Sequence, residues 1–290
     1  MAFRSHRIAR FHVVTHRDFD ALAFHEAFPT LSIGRVAGGE PGDAIIDGAL
    51  WNAADSFESF AALDRAIEEA PGDGVVVHGS PSTAFEVATR NQRFFWRRNR
   101  FSETGAFDAI LAAHRELHDL DKPLVRADYD HALDTWQWVL RLEPNASLEL
   151  QLAALFHDIE RLESEADARV EHRVPDYQKF KDAHAERGGE RAHSVLRMCG
   201  VDERSADRVR AMVARHERRR IDREVCLVND ADGLSFFSLN SPGYVAYFGA
   251  TQTRRKVAYT LARLGRRALR ELERVRLCPT IARFVAEVAP

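Results

Sequence analysis

Beyond Ser80 the chain stops reading as strand. Apolar residues recur at helical spacing over 82–98, 103–119, 126–142, 147–163, 176–199, 203–218, 222–238, 251–275 and 279–288, with Gly, Pro, Asn or Asp punctuating the stretches. So long a run of amphipathic stretches folds as an all-α part, because each must bury its apolar stripe against others. Before Ser80 the signals differ. Residues 7–16, RIARFHVVTH, suit a strand, and 18–28 carry helical spacing that stops at Pro29. The runs 31–37 and 43–50 are β-compatible and flank GGEPGD, which reads as a hairpin-type turn. Asp55 and Glu58 open a helix to about Ala70, and VVVHGS reads as a buried strand. The order β-α-β-β-α-β is that of a ferredoxin-like sandwich. The expectation is therefore an α+β chain: a small α/β domain over 1–84, then an all-α domain over 85–290.

Composition narrows the class. With 45% hydrophobic and 29% charged residues in 290, the chain is globular rather than disordered or fibrous. No window offers the roughly eighteen apolar residues of a membrane span, and MAFRSHRIAR lacks the apolar stretch of a signal peptide. A cytoplasmic protein without a membrane partner is expected. Cys199, Cys226 and Cys278 are far apart, with no CxxC pair to suggest a disulfide framework or thiolate zinc site. The net charge of −3 argues against whole-surface attraction to nucleic acid, which leaves local basic patches. The thirteen histidines carry more information, since histidine is a common metal ligand and proton carrier.

One dipeptide stands out. In Leu152-Ala-Ala-Leu-Phe-His157-Asp158 an apolar helix suddenly presents adjacent polar groups, which is costly unless they are paired or bind metal. It has company along the chain: His131, His184, His216 and Asp232. Asp230 competes with Asp232 for the last place, and the Ala-Asp-x-Leu pattern favours Asp232. His193 competes with His184 but falls off the stripe that joins His184 to Gly188 and Leu196. Imidazoles and carboxylates without thiolate suit Mn, Fe, Mg, Co, Ni or Zn.

This order of H…HD…H…H…D, with the ALFHDI helix, a His-x-x-x-Gly-Gly turn and the closing Ala-Asp-x-Leu, resembles the HD-domain superfamily of metal-dependent phosphohydrolases over about residues 126–235. The resemblance implies an all-α HD-type domain with one or two divalent ions. His131, His157, Asp158 and Asp232 would hold the first ion; His184 and His216 would complete a second site bridged by Asp158. It implies hydrolysis of a phosphate ester, such as a nucleotide or related small molecule, with Asp158 and Arg161 in catalytic roles. Two rivals remain: a di-iron oxygenase using the same ligands, and a non-catalytic sensor or assembly protein keeping the fold.

Arg161 lies four residues after His157, one helical turn on, and either holds a substrate phosphate or is an exposed helix cation. Glu160 sits one position short of the acid that nucleotidase-type members carry. Arg254, Arg255 and Lys256 head a basic stretch that reads either as a phosphate-binding wall or as a solvated face. Arg90 to Phe101 interleaves arginines with aromatics, in the manner of a nucleic-acid contact or of packing, and packing is favoured. Self-association stays open.

Overall fold

A computed structural model describes residues 10–14, 24, 26–28, 32–35, 39–170, 175–218 and 222–288. The chain packs as two units. The first comprises Met1–Arg97, Phe237–Ala258 and Leu272–Pro290; the second comprises Arg98–Phe236 and Tyr259–Glu271. The division therefore differs from a single cut after residue 84, because two late segments join the N-terminal unit.

Four strands of the first unit, β1 (Arg10–Val14), β2 (Ser32–Arg35), β3 (Ala44–Asp47) and β4 (Gly74–His78), form a sheet of order β2-β1-β4-β3. All three pairings are parallel, with Arg10 opposite Ser32 and Gly74, and Ala44 opposite Val75. The expected ferredoxin-like topology and its hairpin are thus corrected: β2 and β3 lie at opposite edges and run the same way, so the segment between them is no hairpin turn. The residues of β4 explain why. Val75, Val76 and Val77 are all buried, as a central parallel strand covered on both faces demands, whereas β3 at the edge alternates buried Ala44 and Ile46 with exposed Ile45 and Asp47. Arg10 ties the strand starts together through ion pairs to Glu40 at 3.0 Å, Asp43 at 2.9 Å and Asp73 at 2.9 Å.

Two helices connect β3 to β4 and a third follows β4. Helix α1 (Gly48–Ala53) starts on an Asp47 cap, α2 (Phe57–Glu69) on Ser56 in a reciprocal box with Ser59, and α3 (Pro81–Arg90) on Ser80 with proline in its first turn. Most of the helix expected over 18–28 lies outside the described residues. The arginine-aromatic segment after α3 is packed inward: Arg90 is buried, pairs with Asp64 at 2.9 Å, donates to the Ser238 carbonyl at 2.6 Å and lies over the Phe60 ring. Phe95 and Trp96 are buried too.

The second unit is all-α. Helix α4 spans Gly105–Glu116, α5 Pro123–Leu142, α6 Leu148–Phe156, α7 Arg161–Ser164, α8 Tyr177–Met198, α9 Glu203–Val213 and α10 Arg223–Ser235. Every residue of α6 from Leu150 to Phe156 is buried, and α5, α8, α9 and α10 all contact it. The stretch 176–199, expected as helical, is α8, and the His-x-x-x-Gly-Gly segment that the resemblance gives as a turn is its middle. A Cβ at Gly189 would stand 2.8 Å from the Arg210 carbonyl oxygen, so glycine there lets α8 and α9 approach closely. The stretch 251–275, expected as one helix, is two: α11 (Ser241–Leu261) bends at Gly249, whose φ is 76°, and α12 (Arg266–Leu272) follows; α13 is Pro279–Val288. Among the described residues no helix is long and apolar enough to cross a membrane.

Candidate metal centre

The innermost helix delivers the central pair. Helix α6 stops at Phe156, His157 is its C-cap, and the chain turns through Asp158 to Glu160 before α7. The expected continuous helix over 147–163 is therefore broken, because the polar pair is turned out of the helical path. Both residues remain buried.

Around this turn the other candidates converge. His131 comes from α5, His184 from α8, Asp232 from α10, and His216 from the turn after α9. His131 Nε2 lies 3.3 Å from His157 Nε2 and 3.2 Å from Asp232 Oδ1. Asp158 divides its oxygens between two sets of imidazoles. Its Oδ2 is 3.7 Å from His157 Nε2 and 4.0 Å from His131 Nε2, while its Oδ1 is 3.0 Å from His184 Nε2 and 4.0 Å from His216 Nε2. His131, His157 and Asp158 offer ligand atoms all within 4.8 Å of one another, a group that could hold a metal ion.

Each of the four rings is fixed from behind. His157 Nδ1 donates to the Ala154 carbonyl at 2.8 Å, His216 Nδ1 to the Val213 carbonyl at 2.7 Å, and His184 Nδ1 to Glu160 Oε2 at 2.5 Å. His131 Nδ1 shares a 2.8 Å hydrogen bond with Ser235 Oγ. In all four the Nε2 atom is left facing the carboxylates, which is the way a metal-binding histidine is oriented by its outer partner.

Asp230 goes elsewhere. Its Oδ1 accepts from the Gly265 amide at 2.7 Å, near the start of α12, while Asp232 points at His131. His193, the alternative to His184, pairs with Glu203 at 3.2 Å and lies 3.7 Å from Asp207 on the surface, where those acids also meet Arg197 and Arg210. Arg161 does not follow His157 around a helix. Its Nε sits 2.8 Å from Asp158 Oδ2 and its Nη1 3.3 Å from Glu165, so it is a partner of the central carboxylate. Arg254, Arg255 and Lys256 belong to the first unit whereas the histidines belong to the second, and Arg254 pairs with Glu287 at 2.9 Å.

Several roles escaped the sequence reading, which named Glu160 without giving it a contact. Glu160 anchors His184 and is itself held by Ser164 and Arg187. Glu217, next to His216, binds Lys181 and, at 2.6 Å, Arg263. The Arg263 guanidinium also donates to the His216 carbonyl at 3.0 Å, which Asn229 meets from the other side at 2.7 Å. Behind Arg161 the charges alternate through Glu165 and Arg169 to Asp128, which accepts a two-pronged contact at 2.7 and 2.9 Å. The available signal was adjacency: Glu160 and Glu217 are acids within two residues of candidate ligands.

These contacts set the protonation states. Burial opposes ionisation of Asp158, yet Arg161, His157, His184 and Lys181 hold its carboxyl well below the usual carboxylate range. Burial likewise opposes Asp232 and Glu217, which His131 and His157, and Lys181 and Arg263, respectively keep ionised. Burial pushes His157 down to about 4, so at neutral pH its ring is uncharged and carries a free lone pair. Against its burial, His184 is pushed up by Asp158 and Glu160.

Fold and site together define the class: an α+β protein whose all-α unit carries a buried histidine-aspartate group able to hold a metal ion. The chain belongs to the DUF4202 family, described as a domain of unknown function, whose model matches residues 104–285. That span contains all six candidate ligands. No curated protein and no solved structure matches the chain.

Proposed function

We propose that the chain is a metal-dependent phosphohydrolase of the HD superfamily, acting on a phosphate ester of a nucleotide or related small molecule. One arrangement carries the reading: four imidazoles anchored through Nδ1 turn their Nε2 atoms toward Asp158 and Asp232, with one oxygen of Asp158 toward each pair of rings. The donor set fits a metal. His216 Nε2 is buried without a hydrogen-bond partner among the described residues; Glu217 Oε1 at 3.6 Å and Asp158 Oδ1 at 4.0 Å are both too far. An orphaned ring nitrogen there is satisfied by a cation.

His131, His157, Asp158 and Asp232 would hold one ion, and His184, His216 and Asp158 a second. When bound, such ions polarise a phosphoryl oxygen and acidify a water. The chain's own residues do the rest. Asp158 joins the two halves, and Glu160 keeps His184 in the tautomer that presents Nε2. Arg161 neutralises Asp158 on the oxygen that faces His157. The carboxylates Asp158, Asp232 and Glu217 are matched in number by the cations Arg161, Lys181 and Arg263, so any divalent ion makes the cluster net positive. An anionic substrate is the partner such a centre takes.

Metal analysis of protein purified without chelator, followed by a phosphatase and phosphodiesterase panel, tests the reading. The expected result is at least one divalent ion per chain and nucleotide hydrolysis that chelation abolishes. A chain that holds no metal overturns it. So does one that holds iron and consumes oxygen with an organic substrate while turning over no phosphoester.

A further inference from the structure

Two columns of side chains lead from the surface toward the histidines. On α8, Tyr177, Lys181 and His184 follow one another at positions i, i+4 and i+7, one face of the helix. From the end of α11, Tyr259 and Arg263 are four apart, and Arg263 donates to the Tyr259 hydroxyl at 3.0 Å. The columns meet at both levels. At the rim the half-exposed rings of Tyr177 and Tyr259 stand edge to face with centroids 5.5 Å apart. Beneath them Lys181 and Arg263, both buried, converge on the single carboxylate of Glu217.

Two buried cations on the one carboxylate of Glu217 concentrate positive charge on this side of the balanced cluster, beside His216 and His184. Buried charge of that kind is retained where a ligand of opposite sign completes it. We infer that Lys181 and Arg263 seat the phosphate of the substrate, and that Tyr177 and Tyr259 grip an aromatic group attached to it, so the ligand is an aryl or nucleoside phosphate. The inference rests on the phosphohydrolase reading and names the substrate class of that same centre. The basic seat is thus Lys181 and Arg263.

The competing role for these residues is a clamp: Glu217 holds Arg263, and Arg263 holds the His216 carbonyl. Calorimetric titration of the full-length, metal-loaded protein with inorganic phosphate and with phenyl phosphate separates the two. Phenyl phosphate is expected to bind more tightly than inorganic phosphate. Lys181→Met and Arg263→Gln should each weaken both ligands about ten- to a hundredfold at unchanged metal content. Tyr177→Ser should erase only the advantage of the phenyl group. Glu217→Gln, which releases both cations, should bind phosphate at least as tightly as the parent; a clamp predicts loss of metal instead.

Parent-like phosphate affinity in K181M and R263Q, weaker binding in E217Q, or no phosphate binding by the parent each overturns the seat. Each single cation variant leaves Glu217 one partner; should R263Q still fail to fold, K181M decides alone. If the parent holds no metal, the phosphohydrolase reading fails. The same titration of that metal-free protein still decides the seat, since its cations belong to the chain.

Discussion

The sheet of the first unit and the helical centre of the second bury opposite kinds of material. Val75, Val76 and Val77 fill the sheet with apolar surface, and the ion pairs of Arg10 lie at its strand starts, where Glu40 and Asp73 are exposed. In the helical unit, the buried helix α6 ends in charge at His157, Asp158 and Glu160, and Lys181 of α8 and Glu217 after α9 are buried as well. Apolar burial stabilises wherever it occurs, but buried charge is costly unless fully paired. The difference separates a region held by apolar packing from one held by paired charge.

The largest expected effect strikes the second region alone. His157→Ala and Asp158→Ala should each abolish metal binding while circular dichroism shows nearly parental helix content, because a first-contact ligand is lost without emptying apolar volume. Stoichiometric metal in either variant breaks the assignment. Asp232→Asn should follow them, and Asp230→Asn should keep its metal, since Asp230 accepts from the Gly265 amide instead of facing the histidines.

Next comes Glu160→Gln, which leaves every ligand in place and weakens the partner that orients His184. Metal affinity should fall about ten- to a hundredfold. An unchanged affinity measured by competition with a chelating dye would strip Glu160 of its positioning role.

The opposite region answers to a different readout. Val76→Ala should lower unfolding free energy in urea by about 2–3 kcal/mol, through lost transfer energy and the cavity left behind, with metal content unaffected. Loss of metal in this variant would erase the contrast between the regions.

The smallest effect is a pH slope. Burial pushes His118 down to about 4, against an ordinary value near 6.5, so the folded protein refuses a proton that the unfolded chain accepts. Stability is whole above about pH 6.5 and falls as pH drops toward 4, by about 2 kcal/mol across that window. His118→Gln should flatten the slope; a slope unaltered by the substitution assigns it to other groups.

What the sequence made legible follows the same divide. Helical periodicity located the all-α part, and the order of histidines marked residues that the structure brings together. Strand direction was not legible, because alternation and apolar runs do not encode which way a strand runs; the turn-like GGEPGD then suggested a hairpin between strands at opposite edges. Gly188 and Gly189 read as a turn by resemblance although the periodicity over 176–199 read as helix; in α8 it is Gly189 that admits a neighbouring helix. Lys181, Glu217 and Arg263 look like any solvated charges until tertiary packing buries their side chains.

The Arg161 guanidinium on Asp158 has a consequence for the order of events in the life of the chain. A cluster of carboxylates lacking any internal cation would repel itself apart until metal arrived, and folding would have to wait for supply, as in zinc fingers. Here Asp158 already has a positive partner 2.8 Å away, and Glu217 has two. The fold of the cluster therefore needs no outside cation for its charge balance, and under the proposed reading a metal could be taken up after synthesis rather than during it.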